Sequence, residues 1–123
     1  MFELTINDTV YRFKFGIGFV REISKTKQYT LDNGMTEDTG LEYAVAKLSE
    51  GDILTLVDVL DLGNKYAGKG ETRLTRKAIE DYLESDEADI DGIFEDVLDF
   101  FSQGNATKKR TKLILDATAA ATE

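Results

Sequence analysis

The spacing of the apolar residues changes after residue 15, and this change constrains the fold more than any other feature. Between residues 2 and 15 apolar and polar residues alternate in two segments, a period typical of β-strands. The apolar positions are Phe2, Leu4 and Ile6 in the first segment and Tyr11, Phe13 and Phe15 in the second. Asn7-Asp8-Thr9 supplies turn residues between them. The pattern predicts a β-hairpin whose aromatic face packs on another element, because a lone hairpin is marginal in water.

Helical spacing of apolar residues begins at residue 18. It predicts helices over 18–27, 39–50 and 52–67, then a short helix and a longer one opening at Asp89. Residues 28–38 contain Asp-Asn-Gly and are predicted to form a loop. The predicted N-caps are Asp52, Thr72 or Thr75, Asp89, and Asn105 for a last helix over 106–121. The predicted inward residues are Phe19, Val20, Ile23, Leu41, Val45, Leu48, Ile53, Leu56, Val57, Val59, Leu60, Ile79, Tyr82 and Leu83.

The helix after Asp89 has the broadest apolar stripe and is predicted to lie at the centre of the core. Its inward residues are Ile90, Ile93, Phe94, Val97, Leu98 and Phe101. The fold class is therefore α+β, mainly α: a two-stranded hairpin packed on about five to six short helices. We expect one globular domain over 1–104, with the hairpin at 2–15 and helices at 17–103. Residues 105–123 hold few large apolar side chains and are expected to form a C-terminal helix or a partly disordered tail.

The composition excludes several classes of chemistry. The 123 residues include no Cys and no His, which removes disulfides, thiolate ligands, a cysteine nucleophile and the usual general base. The net charge of −9 argues against binding a nucleic-acid backbone or an anionic membrane surface. No apolar window approaches the ~20 residues that a membrane span needs, and no signal peptide is readable. We expect no catalytic, cofactor or metal site, and a soluble protein of the cytoplasm in which it is made.

Three stretches resemble binding motifs, and each has a simpler structural interpretation. Residues 63–70 match a phosphate-binding loop except at Gly70, where Ser or Thr should stand; a helix end and a glycine hinge explain them. Residues 15–18 resemble a dinucleotide-binding turn that lacks its third glycine, and a strand-to-helix turn explains them. Residues 87–92 resemble half of a calcium loop, but Leu98 stands at its twelfth position and Asp89 is a natural helix cap.

Blocks of charge divide the C-terminal half of the sequence. Residues 80–99 carry ten acidic residues and no Lys or Arg. Residues 108–112 form a basic block that contains Lys108, Lys109, Arg110 and Lys112. Such blocks are usually solvated faces, yet a single-sign surface also attracts a basic partner. The basic block would fold back on the acidic helix or reach a neighbouring subunit.

The succession of features from Tyr11 to Lys109 resembles the tail assembly chaperones of siphophages that infect Gram-positive bacteria. The features are Tyr-x-Phe-x-Phe-Gly at 11–16, Gly-Phe-Val-Arg-Glu-Ile at 18–23, Gly-Leu-x-Tyr-x-Val at 40–45, Leu-x-Asp-Val-Leu at 56–60, Asp-Val-Leu-Asp-Phe-Phe at 96–101 and Asn-Ala-Thr-Lys-Lys at 105–109. The resemblance implies a non-enzymatic protein that binds the tape measure protein, helps recruit tail tube subunits and is absent from the finished virion.

The resemblance also implies that many members have a longer form made by ribosomal frameshifting, with this chain as the short form. It is compatible with self-association, for which the weakly apolar C-terminal helix would supply the contact. From the residues, we expect an amphipathic partner helix to bind in a groove beside the helix after Asp89. Its floor would be Phe94, Val97 and Phe101, and its rim Asp96 and Asp99. The alternative is that the three apolar residues are ordinary core.

Two other functions compete with this interpretation. The acidic composition also suits a nucleic-acid mimic that blocks DNA-binding enzymes, although such mimics spread their acids widely and the N-terminal region here is basic. An enzyme that binds a nucleotide through residues 63–70 is the third interpretation. A rise in melting temperature on adding nucleotide with magnesium would distinguish it.

Overall fold

Two short antiparallel hairpins and six helices make up residues 1–122, the part of the chain that the structure, a computed structural model, describes. The strands are β1 (Phe2–Ile6), β2 (Thr9–Phe13), β3 (Gln28–Thr30) and β4 (Thr36–Asp38). The helices are α1 (Ile17–Ser24), α2 (Gly40–Ser49), α3 (Ile53–Lys65), α4 (Arg76–Glu84), α5 (Ile90–Gln103) and α6 (Lys108–Thr122). The predicted fold class, mainly α with an N-terminal two-stranded hairpin, is confirmed.

The β1–β2 hairpin forms where the alternating pattern predicts it. Phe2 pairs with Phe13 at its open end. Asn7 and Asp8 form the turn with φ angles of 51° and 65°, a left-handed conformation that Asn and Asp adopt more readily than most residues. The hairpin joins the helices at its end, because the backbone N–H of Lys14 donates to the carbonyl of Gly63 in α3 at 2.9 Å.

Helix α5 lies at the centre of the core, as its apolar stripe predicts. Phe101 is fully buried, and its ring centroid lies 4.9 Å from that of Phe15 and 5.6 Å from that of Phe19. Both ring pairs meet edge to face, the arrangement that aromatic quadrupoles favour. Ile93 and Val97 are also buried, while Ile90, Phe94 and Leu98 are partly buried against the core. Residues from β1, β2 and α1 to α5 therefore share one hydrophobic core.

Three of the predicted helix caps are confirmed. The Asp52 carboxylate accepts from the backbone N–H of Thr55 at the start of α3. Thr75, rather than Thr72, accepts from the N–H of Ala78 in α4. Asp89 accepts from the N–H of Gly92 in α5. These bonds satisfy backbone donors that the first turn of a helix leaves free.

Three local predictions are wrong. Residues 28–38 form the β3–β4 hairpin, not a loop; its strands are too short to show alternation in the sequence. Ile53 is exposed, because the side chains of α3 that enter the core begin only at Thr55 and Leu56. Helix α6 begins at Lys108, so Asn105 lies before the capping position, in the turn after α5.

Helix α6 packs against α2 and α5 along its first half. Thr107 and Thr111 are buried, and Ile114 and Leu115 are half-buried against the core. Residues 116–120 are exposed. The domain division at residue 104 stays a prediction; the predicted C-terminal segment includes residue 123, which lies outside the described residues. No helix in residues 1–122 is both long and apolar enough to cross a membrane.

Candidate functional site

The residues predicted to form a partner site on α5 fall into two groups. Val97 and Phe101 are fully buried in the core, so no partner reaches them while the fold stays closed. Phe94 is half-buried, and Asp96 and Asp99 are exposed. Of the five residues, Phe94, Asp96 and Asp99 are therefore accessible to a partner. Binding at this face of α5 stays a proposal.

The acidic run forms an exposed surface over α4, α5 and their connection. Two of its ten carboxylates lie close to cations of α4: Glu80 to Arg76 at 3.8 Å and Asp81 to Lys77 at 2.6 Å. The other eight are exposed and have no ion-pair partner within residues 1–122. They are Glu84, Asp86, Glu87, Asp89, Asp91, Glu95, Asp96 and Asp99. This surface is suited to a cationic partner.

The basic block on α6 does not neutralise the acidic run. Arg110 lies 3.5 Å from the carboxylate of Glu42 in α2, and Lys112 pairs with Asp116 one turn along α6 at 2.7 Å. Lys108 and Lys109 are exposed. The block therefore folds back on the domain, but onto α2 rather than onto the acidic face of α5.

An apolar groove with a volume of about 760 Å³ lies where the N-terminal hairpin, α1 and the end of α5 meet. Its most exposed apolar side chains are Ile17, Met1 and Phe100, with 71%, 60% and 40% of their surfaces accessible. The other lining residues are Phe2, Phe13, Lys14, Phe15, Gly16, Gly18, Phe19, Tyr66, Gly104, Asn105 and Ala106. Adjacent exposed apolar side chains of this kind are typical of binding surfaces.

The groove is built by close packing of aromatic rings on its floor. The ring of Phe100 meets that of Phe2 edge to face at 5.4 Å. A Cβ at Gly18 would lie 2.8 Å from the ring of Tyr66, so only glycine lets α1 approach that ring. Burial raises the pKa of the Tyr66 hydroxyl above its ordinary value, and the nearby charge of Glu22 acts in the same direction.

Positive charge lies at the groove although the protein is acidic. Lys14 is the one charged side chain among the lining residues, and it forms no ion pair within the described part of the chain. Helix α1 begins at Ile17, so the positive end of its dipole lies at the same place. The groove is therefore suited to an apolar surface that carries a carboxylate at its edge.

Local structure at the three motif-like stretches agrees with their simpler interpretations. Residues 15–18 connect the end of β2 at Phe13 to the start of α1 at Ile17, a strand-to-helix turn. Helix α3 precedes Gly68 and Gly70, which have φ angles of 121° and 85°, so residues 63–70 are a helix end and a glycine hinge. Asn64 within this stretch is buried and holds the backbone of neighbouring segments. Asp89 caps α5. No group of His, Cys, Asp and Glu in the described residues has the arrangement of a metal site.

The groove was not among the sites predicted from the sequence, although one signal could have located part of it. Phe100 stands between Asp99 and Phe101, outside the inward stripe of α5. A large aromatic residue on the polar face of an amphipathic helix indicates a contact other than the helix's own core face. Ile17 gives no such signal, because an apolar residue at the start of a helix is common.

Comparison with known proteins gives one family. The family model of a phage tail assembly chaperone protein matches residues 3–115, which covers both hairpins and α1 to α5 together with the packed half of α6. No curated protein and no solved structure matches the chain.

Proposed function

The chain belongs to the phage tail assembly chaperone family, and we propose that it binds the tape measure protein of its phage and helps recruit tail tube subunits. Its action is the burial of a partner surface rather than catalysis. It works in the host cytoplasm and leaves before the virion is complete. It helps recruit tube subunits through a longer, frameshifted form that shares this sequence.

The apolar groove is the observation that supports this proposal best. Ile17, Met1 and Phe100 present apolar surface to solvent at one place on an otherwise strongly charged protein. An amphipathic helix buries its apolar face in such a groove, with affinity from the buried area and specificity from charges at the rim. A long helical protein such as a tape measure offers that face repeatedly, and each copy of the chaperone would cover one stretch.

Charge at the rim favours one orientation of the bound helix. Lys14 lies on the hairpin side of the groove. Asp96 is one helical turn before Phe100 on α5, so the two share a face. A bound helix that places an acidic residue toward Lys14 and a basic residue toward Asp96 would satisfy both sides.

Co-expression tests the function directly. The chain is produced together with the tape measure protein encoded in the same phage genome, and the soluble fraction is purified through a tag on the chaperone and sized. The proposal predicts a soluble complex from a tape measure protein that is insoluble alone. An insoluble tape measure protein with no bound chaperone, in the presence of both the short and the longer form, would contradict it.

The eight unpaired carboxylates of the acidic surface favour a second candidate, a nucleic-acid mimic. A mimic competes with DNA for a DNA-binding enzyme, and its effect weakens as salt screens the carboxylates. Titration of the chain into a restriction digest at low and moderate salt distinguishes this function. Inhibition that disappears with added salt would support the mimic, and no inhibition would exclude it.

A further inference from the structure

The fully buried side chains in the contact between α6 and the rest of the domain are polar. Thr107 and Thr111, one turn apart, are the buried residues of α6 and its N-terminal junction. The Thr107 hydroxyl donates to the carbonyl oxygen of Phe101 at 2.6 Å. The Thr111 hydroxyl is fully buried and has no hydrogen-bond partner. A buried hydroxyl without a partner loses its hydration and gains nothing in return, so it weakens the contact.

A second unsatisfied group lies on the opposite side of this contact. One carboxylate oxygen of Glu42 in α2 is buried without a hydrogen-bond partner. The other lies 3.5 Å from the guanidinium of Arg110, the residue next to Thr111. That distance exceeds the 2.7–2.9 Å of a well-formed charge-assisted hydrogen bond. Both buried, unpartnered side-chain atoms of the described residues therefore belong to Glu42 and Thr111, at the α2–α6 contact.

The apolar part of the α6 attachment consists of two half-buried side chains, Ile114 and Leu115. Leu113 is exposed, and residues 116–120 are exposed as well. Gly104, Asn105 and Ala106 lead into α6 and also form part of the groove lining. Movement of α6 away from α2 and α5 would therefore move one wall of the groove and extend the groove along α5.

We propose that the face of α2 and α5 beneath α6 is a second helix-binding surface, which α6 covers in the free chain and a helix of the tape measure protein occupies in the complex. This proposal rests on the proposed function. The displacing helix has a large apolar residue where Thr111 lies and an Arg or Lys opposite Glu42. Such a helix satisfies the Glu42 carboxylate and removes the orphaned hydroxyl, so it makes a better contact than α6 does.

Three point variants of the full chain should change how tightly α6 packs on α2 and α5, each in a known direction. Thr111→Val replaces the orphaned hydroxyl by a methyl group and strengthens the α6 contact. Thr107→Val removes the hydrogen bond to Phe101 and weakens it. Arg110→Ala removes the cation beside Glu42, at an exposed position where folding is not at risk, and also weakens it.

Amide hydrogen exchange on the free chain measures how often α6 opens, without any partner. We expect exchange of the α6 amides to slow about tenfold in Thr111→Val and to accelerate in Thr107→Val and Arg110→Ala, while amides of α3 stay unchanged. Unchanged α6 exchange in Thr111→Val would overturn the inference that the orphaned hydroxyl weakens the cover.

Binding of the tape measure protein is then measured for the same variants. When the competent state is a minor population, the apparent dissociation constant changes with that population. We expect Thr111→Val to bind about tenfold more weakly than the unmodified chain, and Arg110→Ala to bind more tightly. Equal affinity of all variants would overturn the displacement of α6 and leave the proposed function intact. Failure of the unmodified chain to bind would overturn both.

Discussion

The side-chain oxygen of Asn64 accepts the backbone N–H of Leu74 at 2.8 Å, inside the protein. The amide nitrogen of the same side chain donates to the carbonyl oxygens of Arg12 and Thr72, each at 3.1 Å. One buried carboxamide therefore ties β2, α3 and the segment before α4 together. This connection fixes the position of the hairpin that forms one side of the groove.

Replacing Asn64 by Leu should lower the free energy of unfolding by about 3–4 kcal/mol, since it leaves a buried N–H and two carbonyl groups without their partner. Urea unfolding followed by far-UV circular dichroism measures the loss. Asn105→Ala is the control, because Asn105 is exposed and its replacement should change stability by less than about 0.5 kcal/mol. A loss below about 1 kcal/mol for Asn64→Leu would contradict the role assigned to this side chain.

Replacing Gly40 by Ala should destabilise the fold by about 2–3 kcal/mol, because a Cβ there would overlap the backbone carbonyl oxygen of Ile23. Rotation of a side chain cannot relieve a clash with the backbone, so α1 and α2 would have to separate. Gly16→Ala is the matched control: its Cβ would meet only the flexible side chain of Lys14, at 3.1 Å. In thermal unfolding, Gly40→Ala should melt at a clearly lower temperature than Gly16→Ala. Equal melting temperatures would exclude the clash with the Ile23 carbonyl as the cause.

Stability should depend on pH through Asp52. Its carboxylate accepts from the hydroxyl of Thr55 at 2.5 Å and from the Thr55 N–H at 3.1 Å, and the hydroxyl bond is the main cause that lowers the pKa of Asp52. A lowered folded-state pKa means that the unfolded chain binds the proton more tightly. The stabilisation is therefore present above the unfolded pKa of about 4 and lost as the pH falls through the folded pKa.

Asp52→Asn should therefore be less stable than the unmodified chain at pH 7, and the difference should shrink between pH 4 and pH 2. Urea midpoints at several pH values measure it. Thr55→Val removes the donor hydroxyl and should reduce the same pH dependence. A difference that stays constant from pH 7 to pH 2 would show that Asp52 does not act as a charged cap.

Local sequence patterns were sufficient for the elements that are long and periodic. The alternation of residues 2–15 predicted the hairpin, and the caps Asp52 and Asp89 marked the starts of α3 and α5. These predictions were correct because each feature depends only on residues within one helical turn or one strand of each other. The three-residue strands β3 and β4 were missed, since three residues do not show a period.

Long-range polar contacts could not be predicted from the sequence. Asn64 lies between Gly63 and Lys65 in the last turn of α3, and nothing in this local sequence distinguishes a buried Asn from an exposed one. Only the fold brings Arg12 and Leu74 to it. Thr107 and Thr111 likewise are residues that usually stay exposed. The packing of α6 was therefore underestimated. Val97 and Phe101, for which the sequence left both a groove floor and ordinary core open, are buried in the core.

A pair of matched substitutions tests whether the apolar groove receives the tape measure protein. Ile17 and Leu54 are aliphatic residues in the first turn of α1 and α3, with 71% and 70% of their surfaces exposed. An Asp is tolerated at either position, near the positive end of a helix. Only Ile17 lines the groove.

The recovery of tape measure protein with each tagged variant is the measurement. Ile17→Asp should reduce the recovered tape measure protein at least tenfold, while Leu54→Asp should leave it unchanged. Both variants should melt within a few degrees of the unmodified chain. Equal recovery with both variants, or a loss confined to Leu54→Asp, would contradict the assignment of the groove.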